Sequence, residues 1–257
     1  MTSGYEAATA LRDSDFNAAL ESLIRKADRA GDEAVDWSVA PIRPRWATRR
    51  AYVEAVSQLL HAERATQLAC SHLATALPEP AAVRFVDGQA RDEARHASMY
   101  ARYLERLGDI APMDKALAAS IENALEWHHS VPTMMVAFNV VLEGEAVRLH
   151  GAAARAFPCP LLRGIATTVG RDEARHVAFG QLYLTRALAS LDVEERRAIY
   201  LDVRALWRAI AQPSASDRPG GTILRRAWRG YMAARWRTHC RTFERIGLIR
   251  PGETFDR

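Results

Sequence analysis

Hydrophobic residues recur at helical spacing along almost the entire chain, and no alternating pattern typical of a β-strand is sustained. Several segments reach about 27 to 30 residues, longer than an average helix and suited to a bundle. The pattern therefore predicts an all-α protein. Prolines and glycines divide it into predicted helices at Asp15 (or a cap at Ser14) to about Ala30, Thr48 to Ala76, Ala81 to Leu107, Asp114 to Phe157 with a bend near Pro132, Leu161 to Ser190, Asp192 to Ala211, and onward from a polar loop at Pro213 to Gly221.

One hexapeptide, Arg-Asp-Glu-Ala-Arg-His, occurs twice, at residues 91–96 and again at 171–176. Each copy contains a Glu-x-x-His, formed by Glu93 with His96 and by Glu173 with His176. Residues three apart lie on one face of a helix, so each copy directs a carboxylate and an imidazole the same way. Four-helix bundles combine two such motifs with two single glutamates to hold two metal ions.

A single glutamate precedes each copy at equal distance. Glu63 lies 30 residues before Glu93, and Glu143 lies 30 residues before Glu173. Apolar residues precede both, and a carboxylate in an apolar stretch must be paired or bind a metal. A duplicated, charged helix face is the alternative, but it does not explain these apolar runs. We expect an N-terminal helix and linker (1–45), a four-helix bundle with a dimetal site in its core (46–190) and two C-terminal helices packing on the bundle (191–257).

Length and composition are those of an ordinary globular protein. The 257 residues, 49% hydrophobic and 26% charged, can bury a sizeable core as one domain. No apolar run is long enough to predict a membrane-spanning helix, and residues 1–13 lack an apolar signal core. Cys70, Cys159 and Cys240 are far apart, which disfavours a disulfide framework or thiolate metal site and indicates a reduced, cytoplasmic protein.

The C-terminal stretch is rich in arginine. The net charge is +4, and all but two of the 35 basic residues are arginine. Leu224, Trp228 and Tyr231 share one helical face, which predicts a basic amphipathic helix. It is either a packing helix with a solvated arginine face or a dock for an acidic partner such as a carrier protein, a reductase or a phosphorylated substrate. No other feature supports a nucleic-acid partner.

Several local sequences resemble the ferritin-like di-iron carboxylate superfamily, which includes ribonucleotide reductase small subunits, ligand-binding oxidases, acyl-carrier desaturases and arylamine N-oxygenases. Residues 172–180, Asp-Glu-Ala-Arg-His-Val-Ala-Phe-Gly, resemble the fourth-helix motif of the ligand-binding oxidases, and Glu143-Gly144 resembles their third-helix Glu-Gly. Residues 61–66, His-Ala-Glu-Arg-Ala-Thr, are similar to a desaturase helix. The resemblance covers roughly Thr48 to Ser190. It implies a ferritin-like bundle with the metal ligands Glu63, Glu93, His96, Glu143, Glu173 and His176.

Two further residues bear on this ligand set. Glu145 lies two residues after Glu143, about 200° around a helix, so only one of them can face the metal ions. The equal spacing and the Glu-Gly resemblance favour Glu143. His150 stays on the face of Glu143, and because the N-oxygenases carry an additional histidine it is a candidate extra ligand. A hydrogen-bonded core histidine is the other interpretation.

The resemblance also implies roles beside the ligands. Asp92 and Asp172 precede the ligand glutamates, and in similar proteins such an aspartate accepts a hydrogen bond from the histidine of the opposite half. An exposed acid paired with an arginine is the alternative. Tyr100 lies four residues after His96, where reductase small subunits carry the radical tyrosine. It is therefore a candidate redox or substrate-gating residue, or else a plain core tyrosine.

The implied activity is that of an O2-dependent, non-haem di-iron oxygenase or oxidase. Such an enzyme would hydroxylate, desaturate or N-oxygenate a small or carrier-protein-bound organic substrate. The implied cofactors are two iron ions, or a manganese–iron pair, with O2, and a ferredoxin or reductase is the implied electron donor. We expect a homodimer. A ferroxidase or iron-storage protein and a radical-generating, reductase-like subunit are the alternatives. Candidates for an apolar substrate pocket, or for ordinary core, are Met134, Met135, Val136, Phe138, Val140 and Phe179.

Overall fold

The computed structural model describes residues 13–29, 35–45, 47–211 and 222–255, and within them every regular element is a helix. The predicted helix end at Ala30 and the predicted loop from Pro213 to Gly221 lie outside these ranges. Two 3₁₀ turns, Glu126–His129 and Leu188–Ser190, and a π-helical segment, Val136–Leu142, connect α-helices. The α-helices are α1 (Asp13–Arg29), α2 (Arg49–Ala76), α3 (Pro80–Leu107), α4 (Lys115–Leu125), α5 (Val131–Met135), α6 (Glu143–Ala156), α7 (Pro160–Ala187), α8 (Val193–Ala211) and α9 (Thr222–Ile246).

The helix ends follow local capping chemistry. The Thr48 side chain accepts a hydrogen bond from the Ala51 N–H at the start of α2. α3 ends at Gly108, whose φ of 87° is open to glycine at little cost. Asp192 caps α8 by accepting from the Glu195 N–H, while Glu195 accepts from the Asp192 N–H. This reciprocal pair is a capping box and confirms the predicted start at Asp192.

The third long segment differs from the prediction. The sequence predicts one helix bent near Pro132, but α4 ends at Leu125 and a new helix begins at Val131. Pro132 lies in the first turn of that new helix, where its missing N–H costs nothing. The chain then passes through the π-helical segment before α6 begins at Glu143. A π-helical turn adds a residue to the helix, so it changes which side chains face the core.

The bundle pairs α2 with α3 and α6 with α7. Its apolar residues form two clusters, one at each end of the long helices. On α3, Phe85 belongs to the first cluster and Tyr100 to the second, while Glu93 and His96 lie between them and are buried. α7 runs the other way, with Val169 in the second cluster and Phe179 in the first. The repeated motif therefore lies in a buried polar layer between two apolar layers.

The C-terminal helices pack on the first cluster. On α9 the buried stripe is Met232, Trp236, Phe243 and Ile246, at helical spacing. The predicted apolar face is corrected here: Trp228 and Tyr231 are 42% and 39% exposed, and the Leu224 side chain lies outside the described residues. Trp228 lies beside the last residue of α8, where its Nε1 donates to the Ala211 carbonyl, so α8 covers this part of α9 only partly. No described helix combines the length and apolarity needed to cross a bilayer.

Candidate dimetal centre

The six side chains predicted as metal ligands meet in the polar layer of the bundle. Each is at most 5% exposed. Because they come from four different helices, only the packed bundle brings them together. Glu63 lies on α2, Glu93 and His96 on α3, Glu143 at the start of α6, and Glu173 and His176 on α7.

The donor atoms form two overlapping groups, within each of which all donors lie within 4.8 Å of one another. Glu93 and Glu173 belong to both groups, so each can bridge two metal ions. The remaining four residues belong to one group each and would be terminal ligands. The groups are Glu63, Glu93, His96, Glu173 and Glu93, Glu143, Glu173, His176.

The two shared carboxylates each present one oxygen to each histidine. Glu93 Oε2 lies 3.4 Å from His96 Nδ1, and its Oε1 lies 3.1 Å from His176 Nδ1. Glu173 Oε1 lies 3.3 Å from His96 Nδ1, and its Oε2 lies 3.1 Å from His176 Nδ1. Both Nδ1 atoms therefore face the carboxylates, where a neutral imidazole would bind a metal ion.

The electrostatics of this layer fit bound cations. Burial and repulsion from Glu173 raise the pKa of Glu63 and of Glu143 well above the usual range. Among the described residues, Glu93 Oε2 has no hydrogen-bond partner. Two divalent ions would neutralise four carboxylates and give that oxygen a partner. Oxygen-rich sites with imidazoles suit iron and manganese, so the donor set fits the predicted pair.

The outer nitrogens of the histidines contact the two aspartates. His96 Nε2 lies 3.2 Å from Asp172 Oδ2, and His176 Nε2 lies 3.3 Å from Asp92 Oδ2. Each aspartate thus contacts the histidine of the opposite half, as the resemblance implies. A carboxylate in this position fixes the tautomer with the proton on Nε2 and turns Nδ1 toward the metal.

Two arginines of the hexapeptide, which the sequence analysis did not single out, join the aspartates. Arg95 Nη2 lies 2.7 Å from both Asp92 Oδ1 and Asp172 Oδ2. Arg175 lies 2.6 Å from Asp92 and 2.9 Å from Asp172. The repetition of the arginine at the same place in both copies was the available signal. Each aspartate thus contacts a histidine, as the resemblance implies, and also pairs with arginine, as the alternative interpretation predicts.

This network keeps both aspartates ionised. Burial raises the pKa of Asp92, but hydrogen bonds from His176 and Arg95 outweigh it and bring the pKa to about 2. The pKa of Asp172 is lowered as well, because hydrogen bonds from His96 and Arg95 outweigh its burial. Ionised aspartates can only accept, so the histidines must donate to them.

Glu145 lies outside the cluster and contacts α9. Its Oε1 accepts from Arg235 Nε at 2.8 Å and lies 3.0 Å from His239 Nε2, and its Oε2 accepts from Arg148. Hydrogen bonds from His239 and these arginines outweigh burial and bring the pKa of Glu145 to about 2. The structure therefore directs Glu143, and not Glu145, toward the histidines.

Tyr100 and His150 form a buried pair beside the cluster. Tyr100 Oη lies 2.5 Å from His150 Nε2, and neither residue is more than 2% exposed. His150 belongs to neither donor group, and its hydrogen bond to Tyr100 favours the interpretation as a core histidine over that as an extra ligand. Burial lowers the pKa of His150 and raises that of Tyr100, so the phenol donates to a neutral imidazole.

Two buried amides that the sequence analysis did not identify lie beside Glu143: one contacts the glutamates directly, and the second contacts the first. Gln89 Nε2 donates to Glu143 Oε1 at 3.0 Å and lies 3.4 Å from Glu93 Oε1. Asn139 Nδ2 donates to Gln89 Oε1 at 3.0 Å. Their sequence signal was position, since each lies four residues before a ligand glutamate and so on its helix face.

The residues predicted to line an apolar pocket are all buried in the first cluster, each at most 2% exposed. The nearest aromatic layer is formed by Phe179 and Phe85, whose rings stack with centroids 4.1 Å apart. Phe85 also meets His176 edge-on at 6.4 Å. The two rings therefore form a buried apolar contact beside His176. The buried set is Met134, Met135, Val136, Phe138, Val140 and Phe179.

Comparison with known proteins agrees with this architecture. One family model, described as p-aminobenzoate N-oxygenase AurF, matches residues 52–218, a span that contains all six clustered residues. No curated protein sequence matches the chain.

Two solved structures share the fold. One is a tyrosine-to-phenylalanine mutant of an R2-like ligand-binding oxidase with an aerobically reconstituted Mn/Fe cofactor. It is 18% identical, with a TM-score of 0.67 over 88% of this chain and 93% of that chain. The R2-like ligand-binding oxidase from Sulfolobus acidocaldarius is 15% identical, with a TM-score of 0.59 over 96% of each chain. These likenesses confirm the predicted ferritin-like helical fold.

Proposed function

The chain belongs to the p-aminobenzoate N-oxygenase AurF family, and from this premise we propose that it is an O2-dependent oxygenase that oxidises the nitrogen of a small aromatic amine. The observation that carries the proposal is the pair of donor groups that share Glu93 and Glu173. These residues would hold two adjacent ions, Fe/Fe or Mn/Fe, which would supply electrons for the reduction of O2. An activity of this kind makes the chain an oxidoreductase.

The protein's own part is first to hold charge and protons in place. Glu63, Glu93, Glu143 and Glu173 carry about four negative charges when ionised, which two divalent ions balance. Asp92 and Asp172 hold the imidazole protons on Nε2. Because these groups are fixed by helices and all but Asp92 are buried, the site is organised before substrate arrives.

A surface cleft offers a route for the substrate. It has a volume of about 440 Å³ and lies between α1 and α3, next to the stacked Phe85. Arg91 lines it and is exposed, so it can pair with the carboxylate of a substrate such as p-aminobenzoate. Phe85 lies between this cleft and His176. We assign Phe85 as the residue that separates the substrate route from the metal centre.

The electrons come from an external donor, a ferredoxin or a reductase, and the basic face of α9 is the proposed contact. Arg229, Arg237 and Arg241 are exposed there, and Trp228 stacks on Tyr231 with centroids 5.7 Å apart. Clustered positive charge accelerates encounter with an acidic partner. A charge reversal, Arg237→Glu with Arg241→Glu, should slow donor-dependent turnover at low salt and leave metal content unchanged.

The function is tested by anaerobic Fe²⁺ loading followed by O2 and p-aminobenzoate. We expect about two ions per chain, O2 consumption, and an N-oxygenated product detected by mass spectrometry. Glu173→Gln is the test variant, and Glu54→Gln, an acid partly exposed on α2 and paired with Arg50, is the matched control. Two bound ions with O2 consumption but no amine oxidation would contradict the substrate assignment alone. A wild-type chain that binds no metal would contradict the enzyme itself.

A large, cage-like assembly with catalytic Fe²⁺ oxidation and no organic product would instead favour the iron-storage alternative. A sizing column measures this directly. We expect a homodimer.

A further inference from the structure

The two halves of the metal layer differ most around Glu143. Gln89 and Asn139 are 2% and 1% exposed, and buried amides must find hydrogen-bond partners. Their positions correspond, at the 80-residue offset of the repeat, to Val169 and Leu59 in the other half. The amide pair is therefore present beside Glu143 and has no equivalent in the other half of the repeated site.

The hydrogen-bond direction along this pair is determined by the carboxylates. Glu143 and Glu93 are acceptors when ionised, so Gln89 must turn its NH2 group toward them. Its carbonyl oxygen then faces Asn139, which donates through Nδ2. Asn139 Oδ1 is left with no hydrogen-bond partner among the described residues. The hydrogen bond from Asn139 that orients Gln89 therefore forms at the cost of a buried, unsatisfied Asn139 Oδ1.

The backbone is shaped to place Asn139 there. Asn139 lies in the π-helical segment, where the helix register shifts just before Glu143. Opposite it on α7 is Gly180, and a Cβ at Gly180 would lie only 2.5 Å from Asn139 Cβ. The position equivalent to Gly180 in the first repeat is Tyr100. Gly180 therefore leaves room for the Asn139 side chain, whereas the equivalent position in the first half carries a tyrosine side chain.

We propose that Gln89 and Asn139 are positioning residues that hold the Glu143 carboxylate in one orientation beside His176. The Gln89 amide donates to Glu143 Oε1, and this same oxygen lies 3.7 Å from His176 Nδ1. A carboxylate oxygen has two lone pairs, so Oε1 can accept from Gln89 and still face the place where a metal ion would lie. Glu63 has no side-chain amide partner among the described residues, so the two ions differ. This inference rests on the proposed metal site but not on the substrate.

The test is anaerobic Co²⁺ titration of the metal-free protein, followed by absorption spectroscopy. The d–d bands of Co²⁺ change with its coordination geometry. Gln89→Met keeps the volume and removes the donor. We expect it to weaken one of the two Co²⁺ binding steps by about 10- to 100-fold, the range for lost partners of metal ligands, and to change the bands of that ion. Asn139→Leu should act in the same direction with a smaller effect.

Two further variants separate positioning from general damage. Tyr52→Phe breaks a buried hydrogen bond of 2.6 Å to Tyr103 far from the amides and should leave both binding steps unchanged. Asn139→Leu should add nothing in the Gln89→Met background, since residues that act as a unit are not additive. Circular dichroism of the metal-free variants checks folding, and Gly180→Ala, which displaces Asn139, gives a second route.

The outcomes distinguish the two proposals. A wild-type chain that fails to bind two Co²⁺ ions overturns the metal site and with it this inference. A wild-type chain that binds two, with folded Gln89→Met and Asn139→Leu variants whose affinities and spectra are unchanged, overturns the positioning role alone.

Discussion

The two halves of the metal layer have the same ligands in different surroundings. In one half, Glu63 and His96 lie beside the buried pair of Tyr100 and His150. In the other, Glu143 and His176 lie beside two amides and a glycine. The repeated hexapeptide accounts for the symmetry, because each copy carries a glutamate shared by both donor groups, a histidine, an aspartate that contacts the histidine of the other copy, and an arginine that contacts both aspartates. The residues outside it make the two metal positions unequal.

Cys70 and His150 illustrate this difference. Each follows its single ligand glutamate by seven residues, so the two occupy equivalent places in the repeat. Cys70 is buried, and burial together with the charge of Glu93 raises the pKa of its thiol well above the usual range. A neutral thiol in one place and a hydrogen-bonded imidazole in the other give the two ions different neighbours. The repeat supplies matching donor residues to both halves, and the residues around them differ.

The largest expected effect comes from removing what the halves share. Glu93→Ala takes a donor from both groups, so both metal ions should be lost and O2 consumption should fall to background. Elemental analysis after anaerobic Fe²⁺ loading measures this. Retention of two ions per chain would show that Glu93 bridges nothing.

Removing a ligand of one half should affect one ion only. Glu63→Ala and Glu143→Ala each remove one terminal donor, so each variant should retain about one tightly bound ion per chain. The identity of the retained ion can be read from the Co²⁺ spectrum. Identical spectra for both variants would contradict the inequality of the halves.

A smaller effect is expected from the aspartates. Asp172→Asn and Asp92→Asn remove the acceptors of His96 and His176, and such losses lower metal affinity by about 10- to 100-fold. Asp172 is 2% exposed and Asp92 is 18% exposed, so water can replace the second more readily. We therefore expect the greater loss for Asp172→Asn in a Co²⁺ titration, and a reversed order would argue against the role of burial.

The smallest effect concerns stability and not metal content. Tyr100→Phe leaves His150 Nε2 buried without its donor, which should lower the free energy of unfolding by about 1–3 kcal/mol. Urea denaturation measures this, with Tyr183→Phe as control, because the partner of Tyr183, Glu79, is partly exposed. A Tyr100→Phe variant that has unchanged stability but binds one metal ion fewer would instead indicate that His150 is an additional ligand.

Much of this site could be predicted because its ligands repeat. Equal spacing in Glu63–Glu93 and Glu143–Glu173 follows from helical hairpins of equal length, so sequence distance reports spatial position. Pro132 shows the limit: a proline within a helical pattern can bend a helix or begin a new one, and neighbouring contacts decide which. The π-helical segment was not predictable either, because no local residue pattern marks it; in the structure it lies in close contact with α7 at Gly180.

The sequence by itself determined the all-α fold and the six predicted ligand residues that meet in one buried polar layer, because helix periodicity and a duplicated motif are local properties of the chain. Tertiary structure alone decided which residues touch across helices. It placed Glu145 against Arg235 and His239, and His150 against Tyr100. It joined both aspartates through Arg95 and Arg175, and it placed Gln89 against Glu143 and Asn139 against Gln89. These contacts depend on helix rotation and on small residues that allow close approach, and such features appear only when the four helices pack together.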